Sequence, residues 1–86
     1  MIYSIYAVKD ELATRYKFPN YYLSKEEAIR DFKTQLNNTT LWKDNPGDFS
    51  LYRLGEYNDE TGIYKSELEL ICGGRSVLND YQNNVQ

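Results

Sequence analysis

The 86 residues carry 10 Lys or Arg against 13 Asp or Glu, a formal charge of −3, with no histidine and one cysteine, Cys72. That length supports one domain with one modest core, and the composition excludes a histidine-based triad, a Cys/His zinc site and an intrachain disulfide. A negative balance also excludes coating nucleic acid by charge alone, which needs a strongly basic surface.

Hydrophobic residues make up 41% of the chain, enough for a globular fold. Aromatic residues reach 15%, and nine of them are Tyr, whose ring stacks while its hydroxyl stays polar. Such residues serve cores and binding surfaces alike, and core filling is the commoner use. Charge is uneven. Residues 1–47 hold seven cations and six acids, whereas residues 48–86 hold three cations and seven acids. Nucleic-acid binding would therefore need a local patch plus stacking. The opening apolar run ends at Lys9-Asp10-Glu11, too soon for a signal peptide, and no apolar run approaches ~20 residues. A cytoplasmic protein without a membrane partner is expected, consistent with the single Cys72.

Residues 2–8, Ile-Tyr-Ser-Ile-Tyr-Ala-Val, predict a central strand covered on both faces. After a polar turn, residues 14–18 predict a second strand, with Tyr16 and Phe18 on one face and Arg15 and Lys17 on the other. Pro19-Asn20 ends it. Ser24 and Glu27 have capping-box spacing, and a helix over about residues 25–36 would bury Ala28, Ile29, Phe32 and Leu36 as one stripe. Leu23 is placed to staple its start. Leu41 and Trp42 predict a short helical turn against the core, and Asn45-Pro46-Gly47 a chain reversal.

Residues 49–57 predict a third strand, with Phe49, Leu51 and Arg53 alternating against Ser50, Tyr52 and Leu54. Residues 58–62 form a hairpin loop with Gly62 suited to a left-handed position, and residues 63–71 a fourth strand. Gly73-Gly74 stops it, with a flexible exit expected there. The order β-β-α-β-β implies an α+β fold: a four-stranded, mainly antiparallel sheet with one helix packed on a face. Residues 1–78 make the domain and residues 79–86 a polar, mobile tail.

Catalysis finds little support. Glu26/Glu27 and Asp59/Glu60 are neighbours in polar surroundings, with nothing to raise a carboxyl acidity constant. Ser76 and Thr61 lack a base. The acidic run Glu56, Asn58, Asp59, Glu60 lacks the order of a calcium loop and fits a solvated hairpin tip. Gly73-Gly74-Arg75-Ser76 is not followed by a phosphate-loop lysine. No enzyme, metal or cofactor is therefore expected, and Cys72 reads as a small core residue. One pattern favours binding. Arg15-Tyr16-Lys17-Phe18 alternates cation and aromatic, and Tyr3, Tyr6, Tyr52 and Arg53 lie on strands expected to share its sheet. An exposed face of Tyr and Arg can stack unpaired bases. Equally, the aromatics can fill the core while the cations are solvated, which plain alternation already predicts. The candidate nucleic-acid site is Arg15, Lys17, Arg53 and Tyr52.

Residues 48–64 read Asp-Phe-Ser-Leu-Tyr-Arg-Leu-Gly-Glu-Tyr-Asn-Asp-Glu-Thr-Gly-Ile-Tyr. This run resembles the signature of the small non-structural protein of gokushovirus-type microviruses, phages with circular single-stranded DNA genomes. Pro19 before Tyr21 and Tyr22, then Ser24-Lys25-Glu26-Glu27-Ala28, is similar as well, so the resemblance spans about residues 1–64. It implies a non-enzymatic DNA-binding protein of the host cytoplasm, acting in the switch from duplex replication to single-strand synthesis and packaging. It brings no residue-level site. Expected partners are single-stranded DNA or replication and packaging proteins, with a homodimer compatible. A protein–protein adaptor, engaging a host or phage replication protein through its acidic hairpin or tail, is the other reading.

Overall fold

The first apolar run folds as β1, Ile2–Asp10, and lies inside the sheet with hydrogen-bonded neighbours on both sides. A computed structural model describes residues 1–78. Only Tyr6, Ala7 and Val8 of β1 are fully buried, so the strand is sealed on both faces near its middle rather than along its length. Asp10 Oδ1 accepts hydrogen bonds from the Leu12 and Ala13 amides, both at 3.1 Å, and tightens the following turn. Thr14 closes it with φ of 57°.

The expected second strand over residues 14–18 is corrected to two short pieces. β2 is Arg15–Tyr16 and β3 is Asn20–Tyr22, and both pair antiparallel with β1. Lys9 faces Tyr16 in the first ladder, and Ser4 faces Tyr22 in the second, one residue out of step. Pro19 lacks an N–H for the ladder, so the chain bulges there and then resumes pairing. Among the described residues the sheet thus has five strands, in the order β2-β1-β4-β5 with β3 also on β1.

Helix α1 spans Lys25–Asn38. Ser24 caps it, its hydroxyl accepting from the Glu27 amide at 3.2 Å, as the capping spacing predicts. Ala28, Phe32 and Leu36 are buried, and Ile29 packs against them half-covered. Leu23 is exposed, so no staple forms. Helix α2, Thr40–Asp44, lays Trp42 flat on Phe49 with centroids 4.6 Å apart, while Leu41 points to solvent. A 3-10 turn, Pro46–Asp48, leads into the next strand.

Strands β4, Phe49–Asn58, and β5, Tyr64–Gly73, form a long hairpin. Asn58 Oδ1 accepts from the Glu60 amide at 2.9 Å, and Gly62 takes the left-handed φ of 73° that its place in the loop required. Register shifts at Leu54 and within β5 mark bulges. At Gly55 the backbones come so close that a Cβ would lie 2.2 Å from the Lys65 carbonyl oxygen.

Beyond β5 the chain does not run free. Residues 74–78 are helical, and Val77 and Leu78 enter the same core as Phe32, Leu36, Phe49 and Leu51. A Cβ at Gly74 would meet the Pro46 carbonyl oxygen at 2.3 Å, so this glycine permits close packing where a flexible exit was expected. The expected mobile tail, residues 79–86, lies outside the described residues. The architecture is α+β, with an antiparallel sheet and its helices on one side. Among the described residues no helix is long and apolar enough to cross a membrane.

Candidate nucleic-acid interface

Strand alternation and the β1–β4 register divide the sheet into two faces. Tyr6 and Val8 point toward α1, with Leu51 opposite Val8 and Arg53 opposite Tyr6. Tyr3, Ile5, Ala7 and Lys9 point the other way, joined by Tyr52 opposite Ala7 and Tyr57 opposite Tyr3. Strand β5 adds Tyr64 opposite Tyr57 and Leu70 opposite Tyr52. This second face is rich in tyrosine, and Tyr57, Tyr64 and Leu70 on it are exposed.

Two aromatic pairs organise it. Tyr16 and Tyr52 meet edge to face with centroids 5.5 Å apart, and Tyr3 meets Tyr21 in the same manner at 5.0 Å. Lys9 Nζ sits 5.5 Å from the Tyr16 centroid and 5.7 Å from the Tyr52 centroid, within cation–π range of both. Glu11 holds it there through a contact of 3.2 Å, and that hydrogen bond raises the Lys9 ammonium above the ordinary lysine range. The geometry offers edge-to-face aromatic rings beside a cation, a surface on which planar unpaired bases can stack.

The four residues expected to form one site are not brought together. Tyr52 lies on the open face. Arg53 lies on the opposite face, its Nη2 donating to Glu56 Oε1 at 2.7 Å and its Nε to Ser4 Oγ at 3.2 Å. With 13% of its side chain exposed, Arg53 serves the fold. Arg15 is exposed opposite Asp10 at the end of the β1–β2 ladder, and Lys17 is exposed just beyond it. The expected orientation of this segment is corrected. Tyr16 pairs with Lys9 and therefore takes the open face, and Phe18 is 92% exposed rather than in the core. The reason is topological: pairing with Lys9 sets the face of Tyr16, and α1 packs over β1 and β3 while β2 forms an edge of the sheet.

Lys9, Tyr3 and Tyr21 lie outside the expected site. Alternation along β1 already sets Tyr3, Ile5, Ala7 and Lys9 on one face. Pairing of β3 onto β1, which brings Tyr21 beside Tyr3, has no local signal. The model of a family described as Phage ORF5 protein matches residues 3–77, from β1 through the C-terminal helical turn. No curated protein and no solved structure matches this chain.

Proposed function

The chain belongs to the Phage ORF5 protein family, and we propose that it is a non-enzymatic accessory protein that holds single-stranded DNA on the open face of its sheet. Within the family we place it with the gokushovirus-type microviruses, on the run at residues 48–64, and its work in genome replication and single-strand packaging in the host cytoplasm. The observation that carries the reading is Lys9 seated between Tyr16 and Tyr52, beside the Tyr3–Tyr21 pair. Stacked rings bind any unpaired base and need little positive charge, which suits a chain of net charge −3. The adaptor reading draws on the acidic second half of the chain, with Glu56, Asp59 and Glu60 at or near the hairpin tip.

A titration of labelled single- and double-stranded oligonucleotides at two salt concentrations tests it. Single strands should bind in preference to duplex, with a shallow slope of roughly −0.7 per phosphate contacted. Tyr16→Ala and Tyr52→Ala should each lower that affinity by about 1–3 kcal/mol, with circular dichroism unchanged. Lys9→Ala should flatten the salt slope, and Arg15→Ala with Lys17→Ala should leave it in place, because Arg15 faces Asp10 on the other side of the sheet. Absence of single-strand binding at low salt, or full binding by both Tyr variants, would leave the adaptor as the better account.

A further inference from the structure

The two edges of the sheet are built differently. One is formed by β2 and β3, two and three residues long and interrupted at Pro19, a device that discourages pairing with another chain. The other is β5, ten residues long, with its first seven residues exposed and, among the described residues, its outer backbone groups unpaired by any strand of the sheet. It also presents Leu68 and Leu70, 59% and 57% exposed, on the open face.

We propose that two copies of this chain pair antiparallel through β5, about a two-fold axis passing through Ser66, and so merge their sheets. A two-fold axis normal to the sheet pairs residues of the same face, so each possible register is centred on a residue. Lys65, Glu67 and Glu69 lie on the helix side of β5, on the same face as Glu56 and Arg53. Centring on Lys65 sets that lysine against its own copy. Centring on Glu67 sets glutamate against glutamate, and centring on Leu68 sets Glu67 against the partner's Glu69 twice. Centring on Ser66 sets Lys65 against the partner's Glu67 twice and Tyr64 against the partner's Leu68 twice. That register has opposite charges on one face, aromatic against aliphatic on the other, and no like charges opposed. The axis keeps both open faces on the same side, so their tyrosine rows become continuous. The pairing stands apart from the DNA reading, and its test uses no DNA.

Sedimentation equilibrium of the full chain, at concentrations from micromolar to millimolar, should show a monomer–dimer equilibrium. Lys65→Glu or Glu67→Lys alone should weaken dimerisation roughly tenfold, and the two changes together should restore it, because the pair is then exchanged intact. In a Cys72→Ala background, Ser66→Cys should form a covalent dimer on mild oxidation, while Leu68→Cys should not. Circular dichroism of each variant checks that the monomer is folded. A monomer at every concentration, a dimer insensitive to both charge reversals, or crosslinking through Leu68→Cys in place of Ser66→Cys would overturn the proposal.

Discussion

The Tyr22 hydroxyl donates a hydrogen bond to the Asp31 carboxylate, tying the three-residue strand β3 to the middle of helix α1. Gln35 Nε2 donates to the same oxygen at 3.2 Å, so the carboxylate is held from two elements. Tyr22 also rests edge to face on Tyr6, with centroids 5.7 Å apart, which places its ring against the core. A strand this short gains little from its own ladder, and this side chain anchors it.

Tyr22→Phe keeps the ring and removes the donor. It should cost about 1.5 kcal/mol in urea denaturation, the low end for a hydrogen bond to a charged group. Burial first, and then the bond to Asp31, raise the Tyr22 hydroxyl above the usual tyrosine range. In the fold it therefore keeps its proton where the unfolded chain begins to lose it. Its contribution is complete below about pH 10 and declines as pH rises beyond that. Stability of the Phe variant should fall less steeply with pH in that alkaline range.

Phe32 is 1% exposed at the centre of the apolar cluster. Phe32→Ala should cost about 3–5 kcal/mol, a large share of the stability of a domain this size. An unchanged melting temperature would contradict the packing of α1 on the sheet.

Two glycines with positive φ differ in what a Cβ would meet. A Cβ at Gly62 would have open space and face only the positive φ of 73°, so Gly62→Ala should cost about 1 kcal/mol. At Gly55 the Cβ would strike the Lys65 carbonyl oxygen, and Gly55→Ala should cost about 3 kcal/mol or more as β4 and β5 are forced apart. Amide hydrogen exchange should show that loss along the hairpin.

Truncation should be tolerated after Leu78 and not after Arg75. The chain ending at Arg75 loses Val77 and Leu78, 4% and 8% exposed, from the core. Thermal unfolding should stay cooperative when the chain ends at Leu78, and should shift downward or broaden when it ends at Arg75.

Arg53→Ala and Tyr52→Ala, neighbours in sequence, should fail in different assays. Arg53 bridges Ser4 and Glu56 on the helix side, so its loss should lower stability and leave any DNA affinity in place. Tyr52 stands on the open face, so its loss should lower single-strand affinity with a smaller effect on folding. Paired melting and oligonucleotide titrations distinguish them.

Local chemistry in the chain was enough to place α1, its Ser24 cap, the buried stripe of Ala28, Phe32 and Leu36, the Gly62 turn and the strands that became β1, β4 and β5. These features depend on residues within a few positions of one another: capping spacing, helical period and turn conformation. Alternation also put Tyr52 and Arg53 on opposite faces. Only the tertiary structure decided which face the helix would cover, and hence that Tyr52 is open and Arg53 engaged. It also decided that the chain would pair again with β1 after Pro19, bringing Tyr21 to Tyr3, and that Tyr16 and Phe18 would stay exposed. Residues 74–78 followed the same logic. Two glycines read locally as a stop, whereas the close approach of Gly74 to Pro46 lets Val77 and Leu78 reach an apolar cluster assembled from distant segments. Burial depends on what else arrives at the same place, and no short window of sequence carries that information.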